Sequence, residues 1–178
     1  MDFRHYSPSE SSELHELFFS VFSDSDGEAE GRLIGNLAKD LLKSTAAEDL
    51  FVFIAVEDHE IIGAICVTRM VTEKGADPFI LAPVAVDTKN QGKGVGQKLI
   101  KYGIEELKRH GVKVLVTYGD PNFYSKTGFE PISVKMIQPP FVLSQPEGWL
   151  GQSLDGNPLR KIEGRCSCVS SLNDSSFW

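Results

Sequence analysis

The stretch that decides the fold reads Val84-Ala85-Val86-Asp87-Thr88-Lys89-Asn90-Gln91-Gly92-Lys93-Gly94-Val95-Gly96. It begins at the end of an apolar, β-prone run over residues 79–86, which is typical of a buried strand. It ends where apolar residues start to recur at helical spacing on one face, as Val95, Leu99, Ile100, Ile104 and Leu107. A polar, glycine-rich turn therefore connects a buried strand to an amphipathic helix.

This turn has the properties of an anion site. The first turn of a helix offers unpaired N–H donors and a partial positive charge. Glycines at 92, 94 and 96 lack the Cβ atoms that would keep a ligand away from those donors. The pattern predicts a cradle for a phosphate or pyrophosphate, and the alternative is a tight turn that binds nothing. Further positive charge comes from Lys89, Lys93 and Lys98.

Two better-known phosphate-binding loops are excluded by spacing. A Walker loop has four residues between its first glycine and a Gly-Lys-Ser/Thr group, whereas Gly96 is followed by Gln97 and Lys98. A dinucleotide fingerprint reads Gly-x-Gly-x-x-Gly, and the glycines at 92, 94 and 96 do not have that spacing.

The rest of the chain predicts a mixed α/β layer fold with the element order ααβββαβαβ. A first helix begins at Ser7 and is broken by a turn at residues 23–27, and a second carries an apolar face over residues 33–42. A hairpin follows at residues 50–67. Later strands are expected at 79–86, 112–118 and 129–136, with a helix ended by Gly111 and a short helix from Asp120-Pro121 to Gly128.

Two regions of this pattern are less regular. Pro83 has no N–H and cannot sit in a regular central ladder, so we expect a bulge or an opening beside it. After Gln138 the pattern allows either an irregular extension or a late strand. Packing of part of this segment on the domain is indicated by Phe141, Val142, Leu143, Trp149 and Leu150.

Composition excludes several classes of protein. The chain has 178 residues, of which 41% are hydrophobic, enough for one domain with a real core. A net charge of −7 argues against general nucleic-acid binding, and no apolar run approaches the about 18 residues that span a bilayer. The N-terminus lacks a signal-peptide pattern and the three cysteines make no disulfide framework, so we expect a cytoplasmic protein. Isolated histidines predict no metal site.

Two motifs together resemble a known superfamily. Residues 91–96 match the Gln/Arg-x-x-Gly-x-Gly/Ala motif of the GCN5-related N-acetyltransferases (GNAT), and Phe123-Tyr124-Ser125-Lys126-Thr127-Gly128-Phe129 resembles the family's Phe-Tyr-x-Lys-x-Gly-Phe segment. Gly119-Asp120-Pro121 and Gly148-Trp149-Leu150-Gly151 look like its bacterial predicted-acetyltransferase branch. The resemblance implies a mixed central sheet flanked by helices, with two central strands splayed apart. It implies a GNAT-like domain over residues 1–137, with a C-terminal extension over 138–178 packing on it.

The resemblance also implies acetyl-CoA as the donor. The pyrophosphate would lie on the N–H groups of Gln91, Gly92, Lys93, Gly94, Val95 and Gly96. The pantetheine arm would pair with Val84, Ala85 and Val86, in the gap beside Pro83. Asn122 is expected either to bind this arm or to cap a helix, and Lys126 either to contact the phosphates or to be solvated.

The implied reaction is direct attack of a primary amine on the thioester, with Tyr124 as the acid for the leaving sulfur. An aromatic that merely packs beside Phe123 and Phe129 is the alternative. Many relatives have an asparagine where this chain has Thr117, and the strand at 79–86 has no acid, so Asp120, Glu57 or a water chain is left as base. The acidic residues Asp24, Asp26 and Glu28 either attract an ammonium group or form a solvated turn.

The sequence therefore predicts an acetyl-CoA-dependent N-acetyltransferase acting on a small-molecule or protein amine. The alternative is a non-catalytic acyl-CoA-binding or sensing module. No membrane or nucleic-acid partner is expected, and a homodimer is left open.

Overall fold

The computed structural model describes residues 1–75 and 77–178. Its helices are α1 (Ser11–Asp26), α2 (Glu28–Ser44), α3 (Val95–Arg109) and α4 (Pro121–Tyr124). Its strands are β1 (Asp2–His5), β2 (Leu50–Glu57), β3 (Glu60–Arg69), β4 (Phe79–Val86), β5 (Val114–Tyr118), β6 (Glu130–Pro131) and β7 (Trp149–Ser153).

The strands form a mixed sheet in the order β1-β2-β3-β4-β5-β7-β6. The pairing of β4 with β5 is parallel, whereas β1 with β2, β5 with β7, and β6 with β7 are antiparallel. This arrangement confirms the predicted mixed α/β class with a central sheet and helices.

One compact unit comprises Met1–Val67 and Pro83–Gly103. In it, α1 and α2 pack on each other through their apolar stripes, as their 3.6-residue periodicity predicts. A two-residue turn joins β2 to β3, with left-handed φ values of 50° at Asp58 and 68° at His59. Positive φ at both central positions matches the right-handed twist of a hairpin. The buried stripe of the two helices contains Leu14, Leu17, Phe18, Val21, Ile34, Leu37, Ala38 and Leu41.

The second compact unit comprises Thr68–Ala82 and Ile104–Trp178. Trp149 is fully buried on β7, and its indole N–H donates to the carbonyl of Ile137 at 2.9 Å. Trp178 lies edge-on to it with ring centroids 6.2 Å apart. The aromatic pair anchors the chain after residue 137 into the core of this unit. The domain division predicted at residue 137 stays a prediction.

The parallel pairing of β4 with β5 joins residues 79–81 to residues 115–117. It ends before Pro83, although β4 itself continues to Val86. Because proline has no N–H to donate, a ladder is not expected to continue regularly through it. The opening predicted beside Pro83 is therefore present in the pairing pattern of these two strands.

The N-terminal part of the chain differs from the prediction in several places. The first helix does not break at residues 23–27: it continues to Asp26 and ends at Gly27, whose φ is 96°. The Ser25 hydroxyl donates to the carbonyl of Phe22 at 3.4 Å, whereas the Ser23 hydroxyl is buried without a partner among the described residues. The start of this helix is a 3-10 turn over Pro8–Glu10, in which the Ser7 N–H donates to Glu10 at 2.6 Å. The N-terminal strand β1 was not predicted.

The predicted strand at 129–136 is also wrong beyond Pro131. Ser133 instead starts a turn, accepting from the N–H of Met136 at 2.9 Å through its carbonyl and from Lys135 at 3.1 Å through its hydroxyl. The late strand exists as β7, within otherwise irregular chain. Val142, expected among the packed residues, is 87% exposed. Among the described residues, no helix is long and apolar enough to cross a membrane.

Candidate active site

The glycine-rich turn lies between the end of β4 and the start of α3. A 3-10 turn over Thr88–Asn90 leads into it, and α3 begins at Val95. Gly92 and Gly94 have φ values of 74° and 79°, a left-handed conformation that other residues adopt only with strain. A Cβ atom built on either glycine would meet no protein atom within 4 Å. The glycines are therefore required by the backbone, and the space above them is open.

Three successive backbone amides of this turn are available as hydrogen-bond donors. Within residues 1–75 and 77–178, no protein acceptor takes the N–H of Gly92, Lys93 or Gly94. The first helical bond runs from the Lys98 N–H to the Gly94 carbonyl at 3.1 Å. The N–H groups before that bond are the unpaired donors expected at a helix N-terminus. The turn thus presents a row of donors with partial positive charge.

Side chains hold the turn in this shape. The amide of Gln91 donates to the carbonyl of Val86 at 3.0 Å and so closes the loop on the end of its strand. Lys93 donates to the side chain of Asn90 at 3.1 Å, and Asn90 donates to Asp87 at 2.9 Å. The Lys93 ammonium group is therefore bonded within the turn, and the Gln91 side chain holds the turn to the end of β4.

The acidic residues at the end of α1 do not form the loop that the sequence suggested. Asp24 accepts a hydrogen bond from the Thr88 hydroxyl at 2.7 Å, which ties α1 to the glycine-rich turn. Asp26 accepts from Ser25 at 2.5 Å, and Glu28 pairs with Arg32 one turn along α2. Each carboxylate has a partner within its own unit, and the ammonium site expected there stays a prediction.

Tyr124, at the end of α4, is half-buried in an aromatic cluster of the second unit. Its ring meets Phe123 and Phe129 edge-on, with centroids 5.0 and 5.7 Å away. Desolvation by burial raises the pKa of its phenol, the Asp120 carboxylate raises it further, and a side-chain hydrogen bond with Thr117 acts against both. The phenol is therefore protonated at neutral pH and can donate a proton.

The neighbours of Tyr124 have well-defined roles. Asp120 caps α4 by accepting from the Asn122 N–H at 2.9 Å, as the sequence indicated, so Asn122 is not the capping residue. Thr117 is buried on β5, and its hydroxyl donates to the carbonyl of Leu81 at 2.8 Å. Lys126 is exposed. The capping alternative for Asn122 is thereby removed, and its side chain is left exposed.

The sequence-predicted residues fall into two groups. The first compact unit contains Val84, Ala85, Val86 and the turn from Gln91 to Gly96, while the second contains Asn122, Tyr124 and Lys126. Ala85 is buried, and Val84 and Val86 are half-buried. None of these residues lines the groove of about 500 Å³ that the C-terminal segment forms around Phe141, Leu143 and Ile162.

The contact between Gly119 and Tyr124 was missed by sequence reasoning. A Cβ on Gly119 would lie 2.7 Å from Cε2 of the Tyr124 ring. The glycine of Gly119-Asp120-Pro121 could have indicated this close approach, but the sequence analysis used these residues only for the family resemblance and the start of a helix.

Comparison with known proteins gives a consistent result. Residues 48–131 match the model of the acetyltransferase (GNAT) domain. YjhQ of Escherichia coli K12, described as an uncharacterized N-acetyltransferase, is 30% identical over 171 residues, which span 88% of this chain and 94% of YjhQ. YhbS of the same strain, described in the same words, is 29% identical over 107 residues, 59% of this chain and 60% of YhbS.

Solved structures share the fold. The crystal structure of Escherichia coli YhbS in complex with CoA has a TM-score of 0.80 at 23% identity, covering 98% of this chain and 92% of YhbS. A GNAT acetyltransferase from Brucella melitensis in complex with acetyl-CoA has a TM-score of 0.74 at 22% identity, covering 96% of this chain and 97% of its own. At these identities the likeness establishes the fold alone.

Proposed function

Because this chain belongs to the GNAT acetyltransferase family, we propose that it transfers the acetyl group of acetyl-CoA to a primary amine of a small molecule or protein. The observation that carries the proposal is the row of unpartnered amides at Gly92, Lys93 and Gly94 beneath open space. Net charge of −7 favours encounter with cationic acceptors over anionic ones.

The turn after β4 is suited to the pyrophosphate of the donor. Oxygen atoms of a diphosphate accept from backbone N–H groups at a helix N-terminus, where the helix dipole favours negative charge. The absence of Cβ atoms at Gly92 and Gly94 lets such a ligand approach the backbone closely. Amides from Gly92 to Gly96 would hold the diphosphate, whereas the Gln91 N–H already donates to the Thr88 carbonyl at 3.4 Å. Lys93 would exchange its bond with Asn90 for a phosphate oxygen.

The unpaired end of β4 is suited to the pantetheine arm and the thioester. Beyond Leu81, pairing with β5 has ended, so the backbone of Val84, Ala85 and Val86 is open to an extended ligand with amide groups of its own. The bound thioester supplies an electrophilic carbonyl carbon and a thiolate leaving group. A backbone N–H near Val84 or Val86 would polarise that carbonyl as oxyanion donors do.

Tyr124 would donate a proton to the departing sulfur. A phenol whose pKa is raised by burial stays protonated across the neutral range, and it is a stronger acid than the bulk water that it replaces. Asn122 and Lys126, on the same turn of chain, would contact the arm and the phosphates. The base would be Asp120, Glu57 or a water chain; Asp120 also caps α4, and the Glu57 carboxylate lies 4.0 Å from the amino group of Met1.

Donor binding and turnover test this proposal separately. Calorimetry with acetyl-CoA is expected to give saturable heat, and a panel of primary amines is expected to include one that releases coenzyme A. Release should be followed by chromatography, because the chain's own free cysteines react with thiol reagents. No affinity at millimolar acetyl-CoA, with folded protein, would end the proposal.

Tyr124→Phe tests the acid role on its own. Removing the hydroxyl is expected to lower kcat for a good amine by about 100-fold, within the range for general acids, while the affinity for acetyl-CoA stays unchanged. If the variant keeps both kcat and its pH profile, Tyr124 is a packing residue and the sulfur leaves without its help.

A non-catalytic acyl-CoA sensor is the second candidate. It is favoured by β4, which carries no carboxylate, and by the engagement of Asp120 as a helix cap. A sensor predicts tight acetyl-CoA binding with no turnover over a broad amine panel. Measurable acetylation of any tight-binding amine removes it.

A further inference from the structure

Gly119 lies directly under the ring of Tyr124. A Cβ atom at this position would sit 2.7 Å from Cε2, 3.4 Å from Cδ2 and 3.6 Å from Cζ of that ring. The first distance is well inside the contact distance of two carbon atoms. Gly119 is not among the glycines with positive φ, so its backbone conformation does not demand glycine. The three atoms nearest to such a Cβ all belong to the tyrosine ring, so the ring is what excludes a side chain here.

A second glycine fixes Gly119 from its other side. The N–H of Gly119 donates to the carbonyl of Gly148 at 3.0 Å, which adds one step to the β5–β7 ladder beyond the Tyr118–Trp149 pair. A Cβ on Gly148 would lie 2.9 Å from the carbonyl oxygen of Gly119. Tyr124, Gly119 and Gly148 are therefore stacked with no room for a side chain between them.

The segment that carries Gly148 is itself fastened to β5. The Tyr118 hydroxyl accepts from the Gln145 N–H at 2.7 Å and lies 2.9 Å from the Ser144 hydroxyl. Trp149, the next residue after Gly148, is fully buried. These contacts restrict the movement of Gly148. Because Gly148 bonds to Gly119, they also fix the backbone of Gly119 relative to the Tyr124 ring.

We propose that Gly119, held by Gly148, is a positioning residue that sets where the Tyr124 hydroxyl stands. This inference rests on the acid role given to Tyr124 above. Phe123 and Phe129 meet the ring edge-on from other directions, so Gly119 supplies a remaining wall of its site. A proton donor must lie about 2.6–3.2 Å from the atom that it protonates, and displacing the ring by the width of a methyl group takes it outside that range.

Gly119→Ala tests the proposal because the added methyl group would displace the Tyr124 ring. The variant is expected to lower kcat at least 10-fold and to leave the affinity for acetyl-CoA within two-fold of the parent. Combined with Tyr124→Phe, it is expected to add no further loss, because an acid that has been removed cannot be misplaced. If Gly119→Ala caused only a general structural defect, its fold-loss of kcat would instead multiply with that of Tyr124→Phe.

Gly151→Ala is the matched control. Gly151 lies on the same strand pair, and its Cβ would press on Ile132 at 3.0 Å and on Val116 at 3.5 Å rather than on Tyr124. It is expected to cost stability without changing kcat by more than two-fold. Equal losses of kcat in Gly119→Ala and Gly151→Ala would overturn the proposal.

A readout without turnover keeps this test separate from that of the proposed function. In protein with 13C-labelled tyrosine, the Tyr124 signal is the one of four that Tyr124→Phe removes. Gly119→Ala is expected to shift that signal and its titration, while Gly151→Ala is not. An unshifted signal in Gly119→Ala overturns the positioning role whether or not an acceptor is found. A shifted signal in a chain that binds no acetyl-CoA sustains the ring contact and ends only the proposed function.

Discussion

Thr117 has a hydroxyl whose single proton is committed. It donates to the carbonyl of Leu81, at the last paired position of β4 and β5. The same hydroxyl also interacts with the Tyr124 phenol, whose pKa it lowers. One buried side chain thus closes the end of the ladder and interacts with the proposed acid.

Two substitutions of Thr117 distinguish the effect of its hydroxyl from the effect of its shape. Thr117→Val keeps the shape but leaves the Leu81 carbonyl without this donor, and we expect the free energy of unfolding to fall by about 1–2 kcal/mol. Thr117→Ser keeps the hydroxyl and serves as the control. Urea denaturation of both variants measures the difference, and a Val variant as stable as the parent would show that the bond contributes nothing net.

The raised pKa of Tyr124 has a consequence for stability at high pH. Because its folded-state pKa lies above the unfolded value, the folded chain holds the phenol proton more tightly than the unfolded chain does. The contribution of this proton to the free energy of unfolding is complete below about pH 10 and is lost as pH rises through the folded pKa. We expect the stability of the parent relative to Tyr124→Phe to be constant from pH 8 to the onset of phenol ionisation and to fall above it. A difference that stays level through the alkaline range would contradict the shift.

Among the elements, the turn before α3 is tested by two glycines with the same backbone. Gly94 and Gly111 have φ values of 79° and 78°, and a Cβ at either meets nothing within 4 Å. Alanine at each position is expected to cost about 1–2 kcal/mol in backbone strain. Both variants are expected to lose this stability, but only Gly94→Ala is expected to lower the affinity for acetyl-CoA. Calorimetry that finds equal affinities in the two variants would remove the turn from the donor site.

Elements with strong local signals were predictable from the sequence. The run over residues 79–86 became β4 with the predicted bounds, and the left-handed glycine at 111 follows the end of α3, because apolar periodicity and glycine conformation are local properties. The serines of residues 23–25 favoured a turn on propensity, but the segment is helical because α1 packs along α2, and tertiary packing overrides local propensity.

Elements that depend on distant partners were not predictable. The strand β1 is short and largely exposed, and what makes it a strand is its antiparallel pairing with β2. The strand β7 is specified by β5 and by the burial of Trp149, neither of which leaves a periodic pattern in its own few residues. The contact of Gly119 with Tyr124 is of the same kind, since it depends on a ring orientation that no spacing encodes.

At the scale of the whole molecule, several elements run from one compact unit into the other. Residues of β3, β4 and α3 belong to both units, whereas α1 and α2 belong to the first alone and both tryptophans to the second. Far-ultraviolet dichroism therefore reports mainly on the first unit and tryptophan fluorescence on the second. Because a strand or helix that spans both units resists local melting, we expect the two signals to share one urea transition. Two separate midpoints would show that the units unfold independently.

The placement of β7 between β5 and β6 has a consequence for synthesis. A ribosome delivers residues 114–118 long before residues 149–153, and until then the nascent chain exposes an open backbone edge that other polypeptides can pair with. Pairing of this edge must therefore wait for residues 149–153 or be protected by a chaperone, and chains truncated between β5 and β7 should yield aggregating products.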